Sequence, residues 1–246
     1  MIMPALSATK LLAAWEQGYS QPPFQRALTL LTLVSENASI EQLAALSVGQ
    51  RDAHLLMLRE RAFGPRMTGH ATCPACAQTL ELDFSVADIR ANDAAQSTSP
   101  GTLIHADYEV RFRLPNSFDL ASLTPDEDVS ANRAQLIRQC VFGVQRNGME
   151  IPVEQLPAEV VDAMSQQMAD ADPQADVQLA MTCPQCDHRW NAPLDILSFL
   201  WTEIQVWAKR LMREIHALAM VYGWREADIL ALSPWRRQVY LEMIHQ

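Results

Sequence analysis

Apolar residues recur at helical spacing through residues 5–65. Leu11, Leu12, Trp15 and Tyr19 predict one amphipathic helix. Phe24, Ala27, Leu28, Leu31 and Val34 predict a second, which starts after Pro22-Pro23. The polar stretch Glu36-Asn37-Ala38-Ser39 breaks the pattern, and Ser39 is placed to cap a helix over 40–46. Ser47-Val48-Gly49-Gln50 leads into a further helix over 51–63, which Gly64-Pro65 stops. His54 in that helix reads as a half-buried structural residue.

The period then changes, and two segments, 67–88 and 177–197, repeat one another. Ala71-Thr72-Cys73-Pro74-Ala75-Cys76 is followed by Leu80-Glu81-Leu82-Asp83-Phe84, and Met181-Thr182-Cys183-Pro184-Gln185-Cys186 by Trp190-Asn191-Ala192-Pro193-Leu194. Each has a strand-like lead, a tight turn and a second apolar alternation, so each predicts a β-hairpin with two thiols at its tip.

Between them, Ala91–Gly101 is rich in small and polar residues and reads as a mobile loop. Tyr108-Glu109-Val110-Arg111-Phe112-Arg113-Leu114 alternates strictly and predicts a half-buried strand. Thr124-Pro125-Asp126-Glu127 is a capping box for a helix carrying Val129, Leu136, Ile137, Cys140, Val141 and Val144. Asn147-Gly148 marks a tight turn. Val160, Val161, Met164 and Met168 share one face of a helix over 157–168, and Asp170-Ala171-Asp172-Pro173 reads as a solvated turn rather than a calcium loop.

From Leu197 onward the chain reads as helix. Leu197, Trp201, Ile204, Ala208, Leu211, Ile215, Leu218 and Tyr222 alternate steps of four and three, a heptad seam that Gly223 ends. A short helix over 225–232 and a last one capped by Ser233-Pro234 follow. The fold class expected is α+β and mainly α-helical, with a split four-cysteine zinc ribbon of two β-hairpins. The regions expected are 1–65 (helical), 66–90 plus 175–197 (the ribbon), 91–174 (an inserted strand/helix segment) and 198–246 (helical).

Composition changes this picture little. The 246 residues are 49% hydrophobic and 20% charged, as in ordinary globular chains. No apolar run reaches the ~18 residues of a membrane span. Met1-Ile2-Met3-Pro4 lacks the pattern of a secretory leader, so the cytoplasm is the expected site of assembly. The net charge of −10 weighs against nucleic acid as the main partner, since phosphate binding rests on Lys/Arg.

The chemistry lies in the cysteines. Four of the five form two Cys-Pro-x-Cys pairs, and closely paired cysteines in a cytosolic chain read as metal ligands before disulfides. Cys73, Cys76, Cys183 and Cys186 are therefore expected to hold one structural zinc ion, a closed four-thiolate site with no position for a substrate. The competing readings are metal-free dithiols or a redox pair, and His70 and His188 are alternative ligands by spacing. About a hundred residues separate the pairs, so the metal would staple the ends of a long insertion.

Nothing in the sequence carries catalysis. There is no phosphate-binding glycine loop, no Gly-x-Ser-x-Gly and no His-Glu-x-x-His, and only eight glycines. Cys140 falls on an apolar helix face and reads as a buried structural thiol. Trp201, Trp207, Trp224 and Trp235 are candidates for a partner-binding face, with intramolecular packing as the alternative.

Several segments resemble a known family of contractile phage tails and extracellular contractile injection systems. They are Leu46-Ser47-Val48-Gly49-Gln50-Arg51-Asp52-Ala53, Leu58-Arg59-Glu60-Arg61-Ala62-Phe63-Gly64, the two cysteine turns, Val110-Arg111-Phe112-Arg113-Leu114-Pro115, and the stretch from Tyr222-Gly223-Trp224 to Ser233-Pro234 with Arg236-Arg237 and Tyr240-Leu241-Glu242. Proteins of this kind are described as baseplate proteins or baseplate hub assembly chaperones. The resemblance implies a non-enzymatic role, with hub or tube proteins as partners and no small-molecule substrate. It leaves open whether the protein stays in the finished particle. The alternative is a zinc-ribbon nucleic-acid-binding or regulatory module acting through Arg111, Arg113, Arg236 and Arg237.

Overall fold

The computed structural model describes residues 7–35, 37–91, 101–123 and 128–244. The expected loop over 91–101 and the Thr124–Glu127 capping box fall almost wholly outside these residues.

Four helices open the chain: α1 (Ala8–Gly18), α2 (Pro23–Leu31), α3 (Ile40–Ala44) and α4 (Val48–Phe63). Ser39 caps α3 through a reciprocal box with Gln42, as its position implied. A second box, Ser47 with Gln50, starts α4 three residues before the expected point. Gly64, at φ 89°, ends α4. Leu30, Leu31, Leu55, Leu56 and Leu58 are fully buried here, packed with Leu200 and Ile204 from the long C-terminal helix.

The hairpins follow as expected. β1 (Arg66–Thr72) pairs antiparallel with β2 (Thr79–Ser85), and β7 (Gln178–Thr182) with β8 (Arg189–Pro193). They remain separate two-stranded sheets. Between them, after α5 (Val86–Ile89), lies a four-stranded antiparallel sheet of β3 (Gly101–His105), β4 (Tyr108–Phe112), β5 (Val141–Arg146) and β6 (Met149–Glu150). Tyr108, Val110 and Phe112 face inward, as the alternation predicted, against Val160 and Met164 of α8 (Ala158–Ala171).

The intervening helix differs from expectation. After α6 (Ser117–Ala121), α7 (Val129–Cys140) ends at Cys140, and Val141 and Val144 belong to β5 rather than to its apolar face. They stand opposite Phe112 and Val110. Two β-branched residues gain more from burial on a sheet than from extending a half-buried helix. β3 was not expected either: its alternation is short, and pairing to β4 creates it. Asn147 and Gly148, at φ 50° and 79°, form the β5–β6 turn.

The chain closes with α9 (Ile196–Tyr222), α10 (Glu226–Ala231) and α11 (Pro234–Ile244). The heptad seam packs within the chain. Its first half joins the core of α1, α2 and α4, and Ala208, Leu211, Ile215 and Leu218 pack with Leu12, Ile229 of α10 and Leu241 of α11. Gly223 caps α9 in the left-handed region, at φ 67°.

The aspartate stretch after α8 corrects a second expectation. Asp172 is 4% exposed rather than solvated. Its Oδ2 accepts the Gly49 N–H at 2.9 Å, so the carboxylate sits on the N-terminus of α4; burial raises its pKa, and the Gly49 N–H offsets part of that cost. Val48 N–H donates to the Pro115 carbonyl at 3.0 Å, and Ser47 bridges Asn116. The Ser47–Asp52 stretch is therefore the seat on which both flanks of the insertion dock.

Candidate metal centre

The two cysteine turns are built alike. Beyond the last ladder pairs, Thr72 with Thr79 and Thr182 with Arg189, the chain closes each tip with the same two bonds. Cys73 N–H donates to the Gln78 carbonyl and Cys183 N–H to that of His188, both at 2.9 Å. Ala77 N–H returns to the Cys73 carbonyl and Asp187 N–H to that of Cys183, again at 2.9 Å. Both return residues are left-handed, Ala77 at φ 59° and Asp187 at φ 55°. Non-glycine residues there cost about 1 kcal/mol each, so the turn geometry is held by something beyond local preference.

The turns meet tip to tip, and all four Sγ atoms lie within 4.8 Å of one another. Cys73 Sγ is 3.7 Å from Cys186 Sγ, and Cys76 Sγ is 3.6 Å from Cys183 Sγ. A tetrahedron with zinc–sulfur arms of about 2.3 Å has edges of about 3.8 Å, so the donor set fits that ion's size and ligand type. The same distances exclude disulfides, which need about 2.0 Å, and all five cysteines are free. A thioredoxin-like dithiol is a poor description, because both motifs join strands rather than opening a helix. His70 lies on β1 opposite Glu81 and His188 stacks on Trp190, and neither joins the cluster. Among the described residues this is the one group of metal-capable side chains.

The thiols perturb one another. Burial raises the pKa of Cys73, but the backbone N–H groups of Cys76 and Ala75 outweigh it and bring the pKa down to about 7. At Cys186 the His188 N–H lowers the pKa, but the neighbouring Cys76 thiol and burial push it up to about 12. One thiolate forms readily in this cluster and the next does not, which is the pattern a cation would relieve. Cys73 and Cys183 are buried, while Cys76 and Cys186 face solvent. Cys140 stands apart at 1% exposure, and burial raises its pKa to about 11, an inert thiol.

The four candidate tryptophans occupy different environments. Trp201 is 5% exposed, with the Arg26 guanidinium 4.4 Å from its ring centre. Trp207 is half-buried where the two helical cores meet. Trp224 stacks on Tyr222 with 4.7 Å between ring centres and meets Tyr240 edge-on. Trp235 is 77% exposed. Of the arginines that a nucleic-acid reading would use, Arg113 binds Asp119 through two bonds, and Arg237, 6% exposed, binds Glu214. The Asp172–Gly49 seat was missed in the sequence, where its only trace is a glycine in the first turn of a helix.

No described helix is long and apolar enough to cross a membrane. Comparison with curated proteins finds no match, and comparison with solved structures finds none. The sequence model of one family, described as T4 bacteriophage base plate protein, matches residues 7–201, a span that contains both cysteine turns and ends inside α9. With four thiols gathered across a long insertion and most of its length matched by that model, the chain belongs to the T4 bacteriophage base plate protein family.

Proposed function

We propose that this protein is a non-enzymatic structural or assembly component, chaperone-like in action, of a contractile-tail or injection-system baseplate. The family match over residues 7–201 carries this reading. Its partners are hub or tube proteins of the tail, met in the cytoplasm during assembly. It turns over no small molecule.

The cysteine cluster holds one structural zinc ion through Cys73, Cys76, Cys183 and Cys186, and the ribbon halves at 66–90 and 175–197 act as one unit around it. Sulfur spacings of 3.6 and 3.7 Å support zinc. The metal's role is folding. It closes a loop of 107 positions between Cys76 and Cys183, and cross-linking a ~100-residue loop is worth about 4–5 kcal/mol in the chain-entropy picture. Partner contact through the tryptophans rests on Trp235, since the rings of Trp201, Trp207 and Trp224 are committed to packing.

Co-expression with hub and tube proteins of a contractile tail, followed by affinity capture, tests the reading. Retention of a hub or tube protein through a salt wash is expected. Capture of none of them would sink it.

A further inference from the structure

The two hairpins are tied together at both ends but not between. At one end the thiol cluster joins their tips. At the other the buried Gln174 side chain spans the chain's exit and return: its Oε1 accepts the Ala91 N–H at 2.8 Å, and its Nε2 donates to the Ile89 carbonyl at 3.1 Å. Between these ties β2 and β7 both line one groove, with no ladder hydrogen bond joining them. A groove of about 510 Å³ separates them, lined by consecutive residues of both strands, Leu82 to Phe84 and Val177 to Met181. Side chains alternate across a strand, so a groove lined by consecutive residues lies along strand edges rather than on a sheet face.

The ladder phase fixes which backbone groups point into it. The bonds Cys73 N–H to Gln78 and Val86 N–H to Pro65 set the hydrogen-bonded pairs of the first hairpin, among them Gly69 with Leu82 and Met67 with Phe84. Asp83, in the intervening pair, turns its N–H and C=O outward. Cys183 N–H to His188 and Leu194 N–H to Val177 do the same for the second hairpin, leaving Gln178 and Ala180 turned outward. Among the described residues, two unpaired edges therefore border one slot. Its charged side chains are Asp83, Asp88, Asp176 and Arg90. The Arg90 guanidinium is already bonded to Glu60 and the Asp83 carboxylate to Arg66, which leaves the slot acidic.

We propose that the edges of β2 and β7 form a slot for a single extended, lysine- or arginine-bearing segment of a partner polypeptide. The segment hydrogen-bonds to Asp83 on one side and to Gln178 and Ala180 on the other, and completes a mixed sheet from two hairpins that do not pair with each other. β2 runs away from the cysteines and β7 toward them, so the added strand is antiparallel to one and parallel to the other. The proposal names a mode of partner contact for the assembly role above, but its test does not need the natural partner.

The probe is a synthetic peptide of alternating lysine and valine, 7 residues long like β2. It is added to the full chain while amide exchange is followed residue by residue. Exchange at Asp83 and Ala180 should slow at least about tenfold, and a glutamate–valine peptide of the same length should leave it unchanged. Ala180→Pro removes an outward N–H without touching the hairpin ladder, so it should keep the wild-type metal content and unfolding midpoint. It should weaken peptide binding about tenfold. Should that variant fail to fold, Asp83→Pro on the opposite edge makes the same test. Unslowed exchange, equal binding of the acidic peptide, or full binding by the folded proline variant would overturn the proposal. So would concentration-dependent protection without peptide, which assigns the edges to a second copy of the chain. Failure of the baseplate reading shows separately, as absence of any captured tail protein.

Discussion

Gly49→Ala separates helix propensity from tertiary packing by the sign of its effect. Gly49 lies in the first turn of α4, and an alanine in place of a helical glycine adds up to about 1 kcal/mol of stability. The structure predicts the opposite. A Cβ at this position would lie 2.6 Å from Asp172 Cγ and 2.9 Å from the Ala175 backbone nitrogen, so the carboxylate must withdraw. That breaks the 2.9 Å bond from the Gly49 N–H to a buried carboxylate. A hydrogen bond to a charged group contributes about 1.5–3 kcal/mol. Set against the propensity gain, the net expectation is a loss of about 0.5–2 kcal/mol. With Asp172→Ala in the background the carboxylate clash is gone and only the contact with the Ala175 backbone nitrogen remains, so Gly49→Ala should cost much less than it does alone. The coupling is then about 1 kcal/mol or more, above the ~0.5 kcal/mol typical of independent sites. Equilibrium urea unfolding of the four proteins, read as midpoint shifts at constant slope, measures it. Stabilisation by Gly49→Ala alone, or additivity of the two changes, would refute the docking of Asp172 on α4.

Three further outcomes are expected. Cys73→Ser and Cys183→Ser should each lower zinc from near one equivalent per chain and unfold the ribbon, while Cys140→Ser should leave metal content unchanged; elemental analysis of purified protein decides, and zinc-free wild type would end the metal reading. Burial raises the Asp119 pKa, but the Arg113 guanidinium and the Asn116 N–H outweigh it and hold the carboxyl below the usual range. Its stabilisation is thus complete above the unfolded aspartate value of about 4 and is lost as pH falls through the folded value. The stability gap between wild type and Asp119→Asn should therefore close as titrated unfolding midpoints are taken below about pH 4, and a gap constant with pH would contradict the pairing. Trp201→Ala should cost about 3–5 kcal/mol and Trp235→Ala under about 0.5, while only the second should weaken capture of a tail protein at full fold stability.

Much of this protein is written locally. The caps at Ser39 and Gly223, the inward alternation of Tyr108, Val110 and Phe112, and the seam from Leu197 to Tyr222 depend on near neighbours in sequence, and the structure keeps them. The four thiols were legible as a group because two turns repeat the same residues at the same spacing. Other features depend on groups far apart in the chain, and no local pattern encodes them. Val141 and Val144 sit at helical spacing after α7, and only the presence of β4 opposite them makes a strand. Asp172 reads as a solvated acid because acids in Pro-bearing turns usually are; burial against a glycine 123 positions away changes its role. The seam is apolar in any context, but its partners within the chain, α1, α10 and α11, follow from packing. The sequence determined which residues could serve as a metal site and a helical core. The tertiary structure decided that the thiols meet at 3.6 and 3.7 Å across the two turns and where the insertion is anchored, because both require free energy from contacts that exist only once the chain has closed on itself.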